Sequence, residues 1–291
     1  ESNIDTDNIM LSDIKEKSNS SLTYIKLDAM NYSQLETLVK DYKISEIYHL
    51  AAILSAKGEE NPMLTWDINM NSLFNVLELA RNKAIEKVFW PSSISVFGIN
   101  TPKIETDQFS IKEPTTAYGI SKLAGERWCE YYNFKYNTDI RSVRFPGIIS
   151  SNTLPGGGTT DYAVEIFYSF LKNEKYNCFL NKKSMLPMIY IDDAIESIYK
   201  LMLADKENLS IKSSYNLASF SLSPEIIEKE LKKIDNSFTV EYNPDFRQKI
   251  ADSWPISIND KYSRVDWNWE PQYDLNKTIL TMIKNLKLKL K

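Results

Sequence analysis

The sequence predicts an α/β protein in which a doubly wound parallel sheet is followed by a smaller α/β domain. Short apolar segments without strict alternation are separated by amphipathic helical segments through roughly the first half of the 291 residues. Continuous apolar strands are typical of parallel sheets that are covered on both faces. The strand–helix rhythm weakens from residue 148. We therefore expect a first domain over residues 1–150 and a mostly separate second domain over 151–291, with part of 188–205 packing back on the first.

Composition excludes several classes of protein. The net charge of −4 and the pI near 5.4 argue against a nucleic-acid or membrane partner. Two cysteines give no disulfide framework and suit a reducing compartment, which we expect to be the cytoplasm, or the mitochondrial matrix if the source is eukaryotic. The longest apolar runs are too short to span a bilayer. The only histidine, His49, is expected to be structural, so no metal site and no Ser-His-Asp triad are expected.

Acidic residues end the first two predicted strands. Residues 8–13 are expected to form a short buried strand that ends at Asp13, and residues 22–28 form the next strand and end at Asp28. In a Rossmann-like dinucleotide-binding domain, an acid at the end of the second strand binds the adenosine ribose and favours NAD over NADP. Both acids are therefore candidate cofactor-binding residues. For Asp13, the alternative is a turn or capping residue.

The next predicted strand, 46–52, ends in small residues. Alanines at that point let the backbone approach a bound nucleotide closely, so the expected cofactor contacts are Leu50, Ala51 and Ala52. A helix at 31–40 precedes this strand. A long helix at 62–83 follows it and contains Asn69, a candidate cofactor-binding residue. The alternative is that Asn69 is a cap or faces solvent.

Hydroxyl residues follow the buried strand 87–90. Ser92 and Ser93 lie where that strand ends, and ligands bind at this edge of doubly wound sheets. Either serine can supply the hydroxyl on this evidence. The strand at 139–147 is broken by Pro146 and Gly147 at the same edge, which makes Phe145 and Pro146 candidate contacts for the nicotinamide end of a cofactor. An ordinary strand exit is the alternative.

The central motif is the pair Tyr118 and Lys122. Their spacing places both side chains on one face of a helix, and Pro114, Thr115 and Thr116 provide chemistry for a helix start. A lysine ammonium beside a phenol lowers the pKa of the phenol, which can then take the proton of a substrate hydroxyl. The alternative is an ordinary amphipathic helix with a surface lysine.

The second domain contains a glycine-rich loop and two further segments of interest. Residues 154–162 include three consecutive glycines but lack the lysine of a P-loop, so we expect a flexible substrate-facing loop with Thr159 pointing inward. A strand is predicted at 184–191, and Asp192 and Asp193 are expected to cap the helix after it. Residues 245–255 form a dense polar and aromatic segment that ends in Trp254 and Pro255.

The chain resembles the extended short-chain dehydrogenase/reductase family in having a serine at a strand end followed by a helix with Tyr118 and Lys122. In that family, Ser, Tyr and Lys form the catalytic triad. Segments 155–164 and 246–255 are similar to the short-chain L-threonine 3-dehydrogenases within it. The resemblance implies oxidation of L-threonine to 2-amino-3-oxobutanoate with NAD as cofactor. It assigns catalysis to Ser93, Tyr118 and Lys122, cofactor contacts to Tyr118 and Lys122, and a role in ordering the catalytic region to Asn69. By position, substrate contacts are expected from Ser55, Thr159 and Trp254, besides Ser93 and Tyr118. A homodimer through the helices containing 65–82 and 118–135 is also expected.

One feature departs from that family. Its members begin with a glycine-rich turn that holds the pyrophosphate, and none of the eight glycines here forms such a motif. If Asp13 binds the ribose, the glycines would precede residue 1, so the chain is expected to lack the first βα unit. Two alternatives stay open: a nucleotide-sugar epimerase or dehydratase, and an inactive remnant that folds or dimerises without cofactor.

Overall fold

The computed structural model describes residues 6–16 and 21–290. The strands are β1 (Met10–Asp13), β2 (Thr23–Lys26), β3 (Glu46–Tyr48), β4 (Lys87–Phe89), β5 (Ser92–Ser93), β6 (Ile140–Arg141), β7 (Val143–Phe145), β8 (Gly147–Ile149), β9 (Tyr176–Cys178), β10 (Leu186–Tyr190), β11 (Tyr215–Asn216), β12 (Phe220–Leu222) and β13 (Val240–Tyr242). The α-helices are α1 (Tyr32–Asp41), α2 (Ser55–Glu60), α3 (Pro62–Arg81), α4 (Ala117–Tyr136), α5 (Tyr162–Leu171), α6 (Ile191–Leu203), α7 (Pro224–Ile234), α8 (Arg247–Ser253), α9 (Lys261–Trp267) and α10 (Leu275–Lys289).

A parallel sheet covered on both faces forms the centre of the molecule. Strand β4 pairs in parallel with β3 and β6, and β7 pairs in parallel with β5 and β11. The two ladders continue one another because the Trp90 N–H donates to the Arg141 carbonyl at 3.0 Å. Val88 packs into a core with α1, α3 and α4, whereas Phe89 packs into another with α6 and α9. Adjacent strand residues thus serve opposite helix layers, which confirms the predicted doubly wound α/β fold.

The prediction of a buried strand at 8–13 was wrong. Strand β1 begins at Met10, and Leu11, Ser12 and Asp13 are exposed. Among the described residues β1 has one neighbour, β2, in a ladder separate from the central sheet. Burial on both faces requires neighbouring strands and covering helices on each side, and β1 lacks these. An apolar stretch of sequence specifies a strand more reliably than it specifies burial.

A further cluster of buried apolar residues surrounds β10, and Ile94, Val96 and Phe97 of the first half belong to it as well. This strand pairs with β8 in parallel and β12 in antiparallel orientation, and α5, α7 and α10 contribute buried residues to the same cluster. The end of α6 contacts the first half, because the Arg141 guanidinium donates to the carbonyls of Leu201 at 2.6 Å and Ala204 at 2.7 Å. The packing of 188–205 on a separate first domain stays a prediction. The boundary near residue 150 stays a prediction.

Asp192 and Asp193 do not cap α6 as predicted. The N-cap is Tyr190, and the Asp193 carboxylate instead accepts the backbone N–H groups of Gln272 and Tyr273, which lie far along the chain. Asp192 accepts the Tyr273 hydroxyl. These acids therefore anchor the segment before α10, which sequence proximity could not indicate. No helix in the described part of the chain is long and apolar enough to cross a bilayer.

Candidate active site

The site is organised by the first turns of α4. The Thr116 hydroxyl oxygen accepts the Gly119 N–H at 3.0 Å, which confirms the predicted hydroxyl cap. The Glu59 carboxylate at the end of α2 accepts the Ala117 N–H at 2.8 Å and satisfies a second free donor of the helix. Tyr118 therefore extends from a helix start that is fixed by two caps, one of them supplied by another helix.

The two candidate serines have different environments. The Ser92 hydroxyl is buried and donates to the carboxylate of Glu126 at 2.7 Å. Ser93 instead lies close to Tyr118, and its hydroxyl lowers the pKa of the phenol. The Ser93 oxygen also accepts the Ser95 N–H at 3.2 Å. The geometry thus selects Ser93 as the hydroxyl next to Tyr118.

The electrostatic expectation for Tyr118 and Lys122 was wrong in its sign. Burial raises the pKa of Tyr118 to about 12 and lowers the pKa of Lys122 to about 7. The Lys122 ammonium donates to the carbonyl of Pro91 at 2.6 Å and lies 4.5 Å from the centroid of the Trp90 ring, 5.5 Å from that of Tyr118. One carbonyl and an indole do not replace the water lost on burial, so the charged forms of both groups are disfavoured.

The loop after β3 adjoins this site. Asn69 on α3 is buried, accepts the Ile53 N–H at 2.8 Å and donates to the carbonyl of the same residue and to the Ser121 hydroxyl on α4. Its side chain holds loop and helix together. This agrees with an ordering role, whereas direct contact between Asn69 and a cofactor stays a prediction.

The residues at this edge fit a dinucleotide. Leu50 is 63% exposed, Ala51 is exposed and Ala52 is half-buried, so an apolar side chain and two small ones border this edge. Phe145 and Pro146 follow β7, whose carboxyl end points the same way as that of β5 because the two strands are parallel. The donors Tyr118 and Lys122 stand at the same edge.

Asp13 and Asp28 are exposed at strand ends, where each carboxylate accepts a nearby backbone N–H. Asp13 accepts from Lys15 at 3.2 Å and Asp28 from Met30 at 2.9 Å. Both therefore act as turn residues, which was the alternative stated for Asp13. Their role toward a ribose stays a prediction.

The substrate side carries a buried hydroxyl without a partner. Thr159 is 1% exposed, and its Oγ1 makes no hydrogen bond. A buried polar atom without a partner is costly and needs an explanation; a substrate group that bonds to it provides one. Ser55 at the start of α2 is buried as well, and Trp254 lies in the buried cluster around β10. Substrate contacts for these residues stay predictions.

Sequence reasoning missed three acids that organise the site: Glu59, Glu126 and Asp161. The Asp161 carboxylate accepts the N–H groups of both Gly157 and Gly158 at 2.7 Å, which shapes the glycine-rich loop. Glu126 follows Lys122 by four residues, so the spacing that identified Tyr118 and Lys122 could have found it. No comparable signal marks Glu59.

Comparison with known proteins agrees with this geometry. Residues 6–218 match the NAD dependent epimerase/dehydratase family, and the chain belongs to that family. An uncharacterized epimerase/dehydratase of Staphylococcus haemolyticus is 44% identical over 288 residues, which are 97% of this chain and 90% of the relative.

Two solved structures are similar over nearly the whole chain. A GalE-like L-threonine dehydrogenase from Cupriavidus necator, in its holo form, is 46% identical with a TM-score of 0.95, covering 97% of this chain and 92% of the other. A monomeric L-threonine 3-dehydrogenase from a metagenome, in its apo form, is 45% identical with a TM-score of 0.95, covering 98% and 92%. The fold prediction and the family resemblance are confirmed.

Proposed function

We propose that this chain catalyses the NAD-dependent oxidation of L-threonine to 2-amino-3-oxobutanoate. The observation that carries the proposal is the convergence of Ser93, Tyr118 and Lys122 at the carboxyl edge of the parallel sheet, in a chain whose close structural neighbours are described as L-threonine dehydrogenases. Family membership supports NAD as the cofactor. When bound, NAD accepts the hydride that leaves Cβ of threonine.

The residues of the chain handle the proton and the orientation. Tyr118, as phenolate, takes the proton of the threonine hydroxyl, while the Ser93 hydroxyl donates to the same oxygen and stabilises the negative charge that develops there. For this the pKa of Tyr118 must fall from about 12. Ser93 lowers it already, and Lys122 lowers it further whenever its amine is protonated. Thr159, with its free hydroxyl, is our candidate for binding the carboxylate or amino group of the substrate.

Charges in the second half favour this reaction over sugar-nucleotide chemistry, the leading alternative. A nucleotide diphosphate usually needs arginines, and Arg247 is the only one in residues 146–263. Its guanidinium donates to both oxygens of Asp245 and lies 3.2 Å from the ring centroid of Phe179. It is thus already committed to partners within the protein.

The test measures formation of NADH from NAD+ with L-threonine, and interconversion of UDP-glucose and UDP-galactose, which is redox-neutral and needs its own assay. It uses the 291 residues alone and the same residues preceded by the glycine-rich strand–turn–helix unit of a similar enzyme. We expect the longer form to bind NADH more tightly, because that turn offers backbone N–H donors to the pyrophosphate. We expect turnover with threonine only. Absence of turnover and of NADH binding in both forms would favour the inactive remnant.

We further propose that two copies associate through α3 and α4. Large side chains are exposed on these helices, namely Trp66, Trp128, Tyr131 and Phe134, and clustered exposed apolar residues mark interaction surfaces. Light scattering over a range of concentrations tests this. Phe134→Glu should give monomers, whereas Ile104→Glu, an exposed site off these helices, should not. A parent that is monomeric throughout, like the similar metagenomic protein, would contradict the proposal.

We also propose a reducing compartment, the cytoplasm or, in a eukaryote, the mitochondrial matrix. Cys129 and Cys178 are both free and buried, which supports this location. A fluorescent fusion expressed in the source cells would test it, and secretion of the fusion would contradict it.

A further inference from the structure

A fully buried ion pair on the catalytic helix has no part in the chemistry described above. Glu126 is 0% exposed and Arg144 is 1% exposed. The guanidinium binds the carboxylate through two bonds, Nε to Oε1 at 2.8 Å and Nη2 to Oε2 at 2.9 Å. The Ser92 hydroxyl donates to Oε1 at 2.7 Å. A pair this deep is costly to bury and weak evidence for stability by itself, so its placement needs another explanation.

That placement puts Glu126 at the end of a regular series of contacts. Tyr118, Lys122 and Glu126 lie four residues apart along one face of α4, and each contacts one residue of the segment 91–93. The contacts are Tyr118 with Ser93, the Lys122 amine with the carbonyl of Pro91, and Glu126 with the hydroxyl of Ser92. Three successive turns of the helix are therefore registered against the strand that carries the proposed catalytic serine.

The same carboxylate also fixes the neighbouring strand. Arg144 lies on β7 directly before Phe145 and Pro146, the predicted nicotinamide contacts. Its Nη1 donates to the Gln108 carbonyl and the Asn216 side-chain oxygen, both at 2.9 Å. Four of the five N–H groups of the guanidinium are bonded, two of them to Glu126, so Arg144 and Glu126 hold each other in place. One buried carboxylate thus links the proton-transfer residues to the strand end on the cofactor side.

We propose that Glu126 is a positioning residue that sets the register of α4 against β5 and β7 and so holds the Ser93 hydroxyl at the Tyr118 phenol. The catalytic consequence rests on the proposed function, but the positional claim does not. If the register slips, the Ser93 hydroxyl that favours the ionised form of Tyr118 moves away, and the proton-transfer geometry loosens. A misplacement of about 1 Å can cost roughly a hundredfold in rate.

The main test variant is Ser92→Ala, which removes one contact to Glu126 and leaves the ion pair in place. The ionisable groups close to Tyr118 and Lys122 are Glu59 on α2, His49 after β3, and Cys129 and Glu126 on α4; Ser92→Ala alters none of them. The double variant Glu126→Met, Arg144→Met replaces the pair by apolar side chains of similar length, a change that proteins often tolerate. The matched control is Glu130→Gln, one turn further along, where the carboxylate pairs with the exposed Arg127.

We expect kcat of Ser92→Ala to fall by about tenfold, while KM for threonine stays within about twofold of the parent value. In the double variant, kcat should fall further. The rising limb of the kcat–pH profile should move to higher pH in Ser92→Ala, which keeps every charge of the parent. NMR tests the positional claim without measuring catalysis. The protein is labelled at the tyrosine ζ carbon, and the Tyr118 signal is assigned from its absence in Tyr118→Phe. The Tyr118 signal should change in Ser92→Ala and in the double variant, and not in Glu130→Gln.

The proposal is overturned if the NMR signal of Tyr118, and the pH at which that signal begins to change, are the same in the parent, in Ser92→Ala and in the double variant. It is also overturned if the variants unfold more easily while kcat and its pH profile match the parent, because Glu126 would then be a stabilising residue only. A chain that fails to oxidise threonine but whose Tyr118 signal responds as expected would refute the proposed function and leave the positional role of Glu126 standing.

Discussion

The catalytic face of α4 and the glycine-rich loop 155–161 differ in how completely their polar groups are satisfied. On α4, the side chains of Lys122 and Glu126 are hydrogen-bonded to the segment 91–93, and Tyr118 lies close to Ser93 of the same segment. In the loop, the Thr159 hydroxyl has none, and a Cβ added at Gly156 or Gly157 would meet nothing within 4 Å. The difference teaches that the proton-transfer groups are preorganised by the fold, whereas the loop keeps space and hydrogen-bonding capacity for a substrate.

The largest effect is expected on the preorganised side. Tyr118→Phe keeps the ring and removes the hydroxyl that takes the proton, so kcat should fall by about 10²–10⁴-fold while affinity for NADH changes little. Steady-state kinetics and an NADH titration check this. Tyr131→Phe, an exposed tyrosine on the same helix, is the control and should match the parent. Near-normal turnover in Tyr118→Phe would mean that another residue takes the proton.

Lys122 should make the free energy of unfolding depend on pH, an effect that we do not expect from the glycine-rich loop. Its pKa is about 7 in the folded protein and near 10.4 in an unfolded chain. Between these values the unfolded state binds more protons, so the free energy of unfolding should rise with pH from about 7 to about 10, by up to roughly 4 kcal/mol.

Urea unfolding at several pH values measures this slope. Lys122→Met should flatten it, and Lys135→Met, exposed near the end of α4, should not. A slope that persists unchanged in Lys122→Met would show that the lysine is charged when folded and that burial does not control it.

The smallest effect is expected for a substitution in the glycine-rich loop. It should change KM for threonine without lowering the stability of the fold. Thr159→Val replaces a buried hydroxyl without a partner by a methyl group of the same shape, so stability should be unchanged or slightly higher. The KM for threonine should rise by about tenfold if that hydroxyl binds a charged group of the substrate. Thr160→Val, at the next residue, is the control. A stability loss with unchanged KM would place the Thr159 hydroxyl in the fold and not in substrate binding.

The local geometry of α4 and of the glycine-rich loop could be predicted from the sequence. The burial and the distant partners of their side chains could not. The spacing of Tyr118 and Lys122 predicts a shared helix face, and three glycines predict an open loop, because both follow from chain geometry. The predicted lowering of the Tyr118 pKa was wrong because its direction depends on burial by residues distant in sequence. Asp193 was misassigned for a similar reason: its partners, Gln272 and Tyr273, are about 80 residues away.

The central claim is that these residues assemble an L-threonine dehydrogenase site. The most direct test is the rate of NADH formation from NAD+ and L-threonine by the chain preceded by a glycine-rich unit, in parent and Tyr118→Phe. The account predicts threonine-dependent NADH in the parent, its near-complete loss in the variant, and no change in UDP-glucose or UDP-galactose. Epimerisation of a UDP-sugar without threonine-dependent NADH would contradict the account and place the chain among the sugar-modifying members of its family.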